Sequence, residues 1–388
     1  MMGMHSYSQR SILGLAALLL LSVSITSHAG VLPEDRADML YHVYDGGGVE
    51  VSGPSLLVRK KFGESVGVDA TYDVDMVSSA SINVMTAASP YKEHRTQWSS
   101  GASYLRGKTT YNVNFLNSTE KDYISDNVSF GISEDMFGDL TTVSLGFTRG
   151  WDDVKQHLVN KAAGSDTYLD KGDVQRRNYR LGLSQILTKS FIVNMDYESS
   201  ALEGYLQNPY RSVRYGAANA TPLSQNEIYP RTRTSNAVGL NGRYYLPYRA
   251  SVKAGYRYYT DSWGIVAHTG DLEYVHPIKS AWTVEVSGRY YTQTHADFYS
   301  DLFPYINAQN FLARDKVLAT FNDWSLHLGG SWRWTHTPKL ASVLSLFVDH
   351  IQYNYLDFKN ALVGRTPSAQ PLYNYSANVY QFQYSLHY

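Results

Sequence analysis

The chain has 388 residues, a formal net charge of −1 and no cysteine. The missing thiol excludes disulfide staples, thiolate metal sites, a cysteine nucleophile and a lipid-modified N-terminal cysteine. The near-neutral charge gives no reason to expect nucleic acid as a partner, whereas 33 tyrosines, each with an apolar ring and a wet hydroxyl, suit a membrane–water boundary.

The first element in chain order is an export signal. Arg10 precedes an apolar run from Ile12 to Val23, and Ser27-His28-Ala29 supplies the small residues that a signal peptidase reads. Residues 1–29 are therefore expected to be a cleaved signal peptide, and residues 30–388 the mature domain. The apolar run is shorter than the roughly 20 residues that span a bilayer as a helix. No later segment is apolar enough to do so, which leaves a closed β-barrel as the way for an exported chain to cross a membrane.

From there the chain reads as strand after strand. Val66, Val68, Ala70, Tyr72, Val74 and Met76 alternate with Gly67, Asp69, Thr71, Asp73 and Asp75, placing apolar and acidic or small side chains on opposite faces. The same period of two recurs at Thr109–Phe115, Val128–Ser133, Val143–Thr148, Asn178–Ser184, Phe191–Glu198, Ser251–Tyr258, Trp282–Tyr290 and Trp324–Trp334. A soluble β-sandwich also alternates, but the connections here alternate in length as well. Short ones fall at Gly63-Glu64-Ser65, Arg106-Gly107-Lys108, Met136-Phe137-Gly138, Thr188-Lys189-Ser190, Pro247-Tyr248-Arg249, Pro277-Ile278-Lys279 and His336-Thr337-Pro338. Mostly longer polar connections lie between them, at 78–93, 119–124, 150–173, 200–233, 260–265, 295–322 and 353–376. Outer-membrane barrels have short periplasmic turns and longer outer loops.

With a first strand at 36–44 and a tight glycine turn at Asp45-Gly46-Gly47-Gly48, the expected fold is all-β. It is a transmembrane antiparallel up-and-down barrel of about sixteen strands, located in the cell outer membrane and bathed by its lipid. Fourteen strands is the alternative, because Gly53-Pro54 interrupts the second strand and proline removes a ladder donor. Tyr380, Phe382, Tyr384, Leu386 and Tyr388 alternate with polar residues and end on an aromatic. That pattern resembles the strand by which the barrel-assembly machinery recognises its clients, so this machinery is an expected partner.

The segment Tyr41-His42-Val43-Tyr44-Asp45-Gly46-Gly47-Gly48-Val49-Glu50-Val51, continuing through Gly53-Pro54 to Val58-Arg59-Lys60, resembles the start of the DUF3570 family of bacterial proteins of unknown function. The resemblance implies an outer-membrane barrel without an established activity. It also implies a genomic setting near small lipoproteins, thioredoxin-like proteins and flavin transferases, and so an envelope redox context and a periplasmic lipoprotein as a further partner. No residue of the chain carries that redox context by itself.

Catalytic motifs are missing: no HExxH, no GxSxG and no P-loop. His268 with Asp271, and Asp349 with His350, are the nearest metal-like clusters, and both read as ordinary polar pairs. The expectation is a protein that is not an enzyme and that has no cofactor, catalytic residue or metal ligand. The informative residues are the charges on the face opposite the apolar one. Asp69, Asp73, Asp75, Arg176, Arg180, Arg243, Lys253 and Arg257 are the candidate lumen charges, followed by Asp271, Glu273, Glu285, Arg289 and Arg333. Segregated on opposite walls they would set a transverse field and select permeants; paired across neighbouring strands they would merely solvate the interior. Two long loops are aromatic-rich, one with Tyr205, Tyr210, Arg211, Arg214, Tyr215 and Tyr229, the other with Phe298, Tyr299, Phe303, Tyr305 and Phe311. They can plug the lumen, bind a ligand or grip a partner. Three functions follow: porin-like passage of small polar solutes, an occluded barrel that docks a periplasmic lipoprotein or redox partner, and an outer-membrane enzyme. An interior filled by the protein's own loops would count against an open pore.

Overall fold

A computed structural model describes residues 31–79, 91–160, 165–337 and 339–388. The expected signal peptide at 1–29 lies outside the described residues. Among the described residues eighteen strands follow one another. The first nine are Arg36–Gly46 (β1), Val49–Phe62 (β2), Val66–Ser79 (β3), Tyr91–Arg106 (β4), Thr109–Thr119 (β5), Tyr123–Met136 (β6), Thr141–Asn160 (β7), Ser165–Thr188 (β8) and Phe191–Gly204 (β9). Then come Ser212–Tyr215 (β10), Leu223–Asn226 (β11), Thr232–Tyr245 (β12), Ser251–Asp261 (β13), Val266–Ile278 (β14), Trp282–Gln293 (β15), Phe321–Thr337 (β16), Leu340–Lys359 (β17) and Leu372–His387 (β18). All but β10 and β11 form one closed antiparallel barrel in chain order, sealed where β1 pairs with β18. Among the described residues no helix is long and apolar enough to cross a membrane.

The pleat sorts the side chains. Met39, Leu56, Tyr72, Leu181, Leu240, Leu272, Leu328 and Phe382 are exposed on the outer surface, as a lipid-facing belt requires. Trp282 and Trp332 stack on that surface, with ring centroids 5.8 Å apart, beside the short turns.

The strand count rests on β1 and β2, and both are continuous. Gly47 and Gly48 have φ of 60° and 76°, which is the positive-φ pair of a tight two-residue hairpin. Gly53-Pro54 does not break β2. Gly53 pairs with His42 and Pro54 with Tyr41, while the ladder to β3 skips from Ser52–Met76 to Ser55–Asp73 without changing register. The proline has no N–H to give β3. Glycine is required beside it because a Cβ at position 53 would lie 1.7 Å from the Val74 carbonyl oxygen.

Two connections differ from expectation. Residues 150–173 are for the most part not loop: β7 and β8, of 20 and 24 residues, continue through them and pair as far as Asn160–Ser165. About 9–11 residues cross a bilayer, so this hairpin projects beyond the barrel. The 205–231 connection in turn contains a small two-stranded sheet, β10–β11.

Candidate functional site

All eight candidate lumen charges stand on the face opposite the exposed apolar side chains. Asp69, Asp73 and Asp75 lie on β3, Arg176 and Arg180 on β8, Arg243 on β12, and Lys253 and Arg257 on β13. The register then decides their partners, and pairing across strands prevails over segregated walls. Asp75 meets His42 at 3.0 Å and Arg95 at 3.4 Å, and Asp73 accepts a 3.3 Å bond from Gln97. Arg176 meets Asp152 at 2.6 Å, and Arg243 meets Glu273 at 2.8 Å. Arg180 and Arg257 approach the same oxygen of Glu198 at 3.8 and 3.6 Å. Lys253 lies 3.5 Å from Asp271 and 3.4 Å from Glu273.

Asp152, Asp196 and Glu198 were not among the candidates, although the alternation Phe191–Glu198 carries the signal that would have found the last two. Several of these groups remain accessible within the barrel, the Arg257 side chain at 45 % and Asp271 at 34 %.

His268 and Asp271 are separated by the pleat: His268 is on the outer face with Tyr256, whose hydroxyl lies 2.6 Å from Nδ1. Asp349 and His350 also part, the former meeting His327 at 2.8 Å and the latter Asn378 at 2.8 Å. A serine–histidine contact does occur, with His336 Nε2 3.0 Å from Ser342 Oγ. Ser342 is fully buried and its oxygen is also 2.9 Å from the Tyr384 hydroxyl, which leaves no approach for a substrate carbonyl.

The two aromatic loops meet each other in the end of the barrel opposite the short turns. Ile228 and Leu312 exchange backbone hydrogen bonds of 2.9 and 2.8 Å, and Val213, Phe303 and Leu312 form a buried cluster. A larger cluster joins Tyr229, Trp263, Phe298, Tyr299 and Leu318 from the connections to Tyr355, Phe358 and Tyr373 of β17 and β18. Tyr305 and Phe311, by contrast, stay exposed.

Buried charges lock this plug. Arg214 pairs with Asp301, which also holds Arg314 at 3.0 Å, and Arg211 pairs with Asp315. Glu227 accepts a 2.7 Å bond from the Arg314 amide; burial raises its carboxyl above the usual range, while the Arg211 charge opposes that. Burial and the nearby Arg211 lower the Lys316 ammonium to about 8.

Loop 205–231 is tied to the rim at distant points. Tyr210 donates a 2.5 Å hydrogen bond to Asp122 between β5 and β6 and accepts one of 2.6 Å from the His157 amide on β7. Four and eight residues further on, Arg214 donates to Gln370 at 2.5 Å and the Ser368 amide donates to Ala218 at 2.8 Å, both partners lying between β17 and β18. In the barrel order those anchors lie on well-separated sectors, so the loop runs across the mouth.

At the first anchor, Glu93, Glu120 and Asp122 are all buried, with carboxylate oxygens within 4.8 Å of one another. Burial, and next the Glu93 charge, push the Glu120 carboxyl up to about 8. An all-oxygen set of this kind has the chemistry of a hard-cation ligand set; in this structure Asp122 receives Tyr210 and Glu93 accepts the Lys121 amide at 3.4 Å.

The fold is that of the outer-membrane barrels. A solved bacterial polysaccharide outer-membrane secretin superposes with a TM-score of 0.50 at 7% identity, over 92% of this chain and 100% of that one. A Pseudomonas aeruginosa FadL homologue gives 0.43 at 9% identity, over 92% and 90% of the two chains. The Pseudomonas putida toluene transporter TodX gives 0.41 at 10% identity, over 99% and 95%. No curated protein matches the sequence. Residues 81–351 match the family described as protein of unknown function (DUF3570), and the chain belongs to that family.

Proposed function

We propose that this chain is an outer-membrane channel for small polar solutes, gated at its outer mouth by its own loops. The short turns then face the periplasm and the plug faces the cell exterior. The observation that carries the reading is an inner wall of half-accessible paired charges, such as Arg257 with Glu198, lying beneath a packed aromatic plug. A wall that stays wet and polar serves no purpose in a barrel filled by its own core, and sixteen strands leave width for an aqueous channel. The plug argues against a permanently open porin. It also suits the second reading, an occluded barrel that docks a periplasmic lipoprotein or envelope redox partner.

The test is single-channel conductance of the refolded protein in a planar bilayer, with wild type set beside a variant lacking residues 208–227. Rare or brief steps in wild type and steady ohmic steps in the variant support the gated channel. Silence from both, when each is folded and heat-modifiable on a gel, refutes it in favour of docking.

A further inference from the structure

The rim of short turns is charged unevenly. Four turns, at 187–191, 246–250, 278–281 and 336–340, each hold one lysine or arginine and no aspartate or glutamate. They join strands that run side by side in the barrel from β8 to β17. On the other side of the rim Lys60 meets Asp35 and Lys108 meets Asp139, each at 2.6 Å. We propose that the acid-free sector binds an anionic phospholipid from the leaflet that meets the short turns. Arg249 and Lys279 hold its phosphate, and one acyl chain lies along the outer face of β14–β16. The inference goes beyond the passage reading and holds whether or not the barrel conducts.

Arg249 and Lys279 are both exposed, and both have positive φ, 71° and 56°. Glycine or asparagine adopts that backbone at lower cost. The basic side chains are therefore kept against a conformational penalty, which is the mark of a position held for function. Arg249 Nη1 donates to the Lys279 carbonyl at 3.3 Å and brings the two turns together. Glu273 and Glu285, the carboxylates of β14 and β15 nearest these turns in sequence, face the lumen and meet Arg243 and His327 there. A zwitterionic headgroup would bring a further cation to this acid-free rim, whereas a phosphate diester of an uncharged alcohol brings none.

The outer surface beside the turns is shaped for a chain. Trp282 and Trp332 stack there with their planes 15° apart, at the level where tryptophan marks a membrane–water boundary. Lys279 precedes Trp282 by three residues, so the phosphate and chain positions adjoin. Past the tryptophans the outward positions fall away at glycines on three neighbouring strands. Gly330 opposes Val284, Gly288 opposes Leu272 and Leu326, and Gly270 opposes Tyr290. A Cβ at Gly270 or Gly330 would touch nothing within 4 Å, and one at Gly288 only the Ser325 carbonyl oxygen at 3.9 Å. On β15 the outward side chains between Trp282 and Gly288 are the short ones of Val284 and Val286.

A shallow furrow thus climbs the lipid-facing wall diagonally. From Val284 to Tyr290 it follows about 20 Å of strand, at roughly 3.3 Å per residue. With strands tilted by about 40° it rises about 15 Å, half of the roughly 30 Å hydrocarbon core. One acyl chain of one leaflet has that reach.

The test is native mass spectrometry of the refolded full chain in neutral detergent, titrated separately with dipalmitoyl phosphatidylglycerol and dipalmitoyl phosphatidylcholine. The two lipids share their chains and differ in headgroup charge. Phosphatidylglycerol should bind at least about tenfold more tightly. Arg249→Gln combined with Lys279→Gln should reduce it to the level of phosphatidylcholine, while Arg106→Gln, at the β4–β5 turn, should leave the preference intact. Gly288→Leu combined with Gly330→Leu fills the furrow without touching the charges, and should weaken both lipids while keeping the preference. Glycerol 3-phosphate, an anionic group without chains, should not displace the lipid. Equal binding of the two lipids overturns the proposal. So does a preference that survives loss of both charges in a heat-modifiable protein, undiminished binding once the furrow is filled, or displacement by glycerol 3-phosphate.

Discussion

Glu120→Gln tests the buried acidic anchor at the rim. The Glu120 carboxyl is held at about 8 against an ordinary 4.5. Between those two values the folded chain binds a proton that the unfolded chain has released, so stability must fall as pH rises through the window and level off above it. At about 1.4 kcal/mol for each pH unit, the full loss is on the order of 5 kcal/mol. Glutamine has the same shape and no charge at any pH. The variant should therefore match wild type near pH 4.5 and become progressively more stable than it up to about pH 8. Lys316 works in the opposite direction: its lowered value adds stability as pH rises from about 8 towards 10.5. It is common to both proteins and cancels in the difference. The assay is urea unfolding of each protein in lipid vesicles, followed by tryptophan fluorescence at stepped pH. Parallel stability curves for the two proteins would refute the assignment of the titration to this cluster.

Other perturbations read other parts of the molecule. Tyr210→Phe removes the hydrogen bonds to Asp122 and from the His157 amide, a local loss of about 1–3 kcal/mol; protease cleavage within 205–231 should accelerate while the barrel stays intact, and unchanged cleavage would refute the anchor. Arg214→Ala takes a partner from the half-buried Asp301 at about 3 kcal/mol, and should lengthen channel openings in planar bilayers; unaltered open times would show that this lock does not hold the gate. Leu240→Arg, on the exposed outer face, should cost about 2–4 kcal/mol near the bilayer midplane, while the neighbouring Asn241→Arg should cost far less; equal costs in vesicle unfolding would contradict the facing. Gly53→Ala forces a Cβ against the Val74 carbonyl and should cost about 1–3 kcal/mol, seen as a lower gel-shift temperature; an unshifted temperature would show that the strands can part there freely.

The barrel was legible because a period of two is written locally. Val66–Met76 announces its own faces without knowledge of its neighbours, and the alternating connection lengths order the strands. Residues 150–173 misled because a hairpin projecting beyond the membrane keeps its strand geometry without an apolar face to advertise it. The plug was illegible for another reason: Arg214–Asp301 and Ile228–Leu312 join segments more than eighty positions apart, and nothing periodic links them. Charge partners were equally hidden. Whether Glu198 meets Arg180 and Arg257, or neither, depends on the stagger of three neighbouring strands, and the sequence of a single strand does not contain its stagger.

The seam between β1 and β18 has a consequence for how the molecule comes into being. Its rungs, from Arg36–His387 to Gly46–Ala377, join positions more than three hundred residues apart, whereas the other rungs of the barrel join strands adjacent in the chain or separated by one loop. The sheet can therefore grow hairpin by hairpin from local contacts, but it keeps two bare edges until that last, entropically costly loop is closed. During that interval each edge is a template for any passing strand. Closure of one seam thus divides an aggregation-prone ribbon from a cylinder with no edge at all, and a defect confined to β1 would be felt as a failure to mature rather than as a weakened native state.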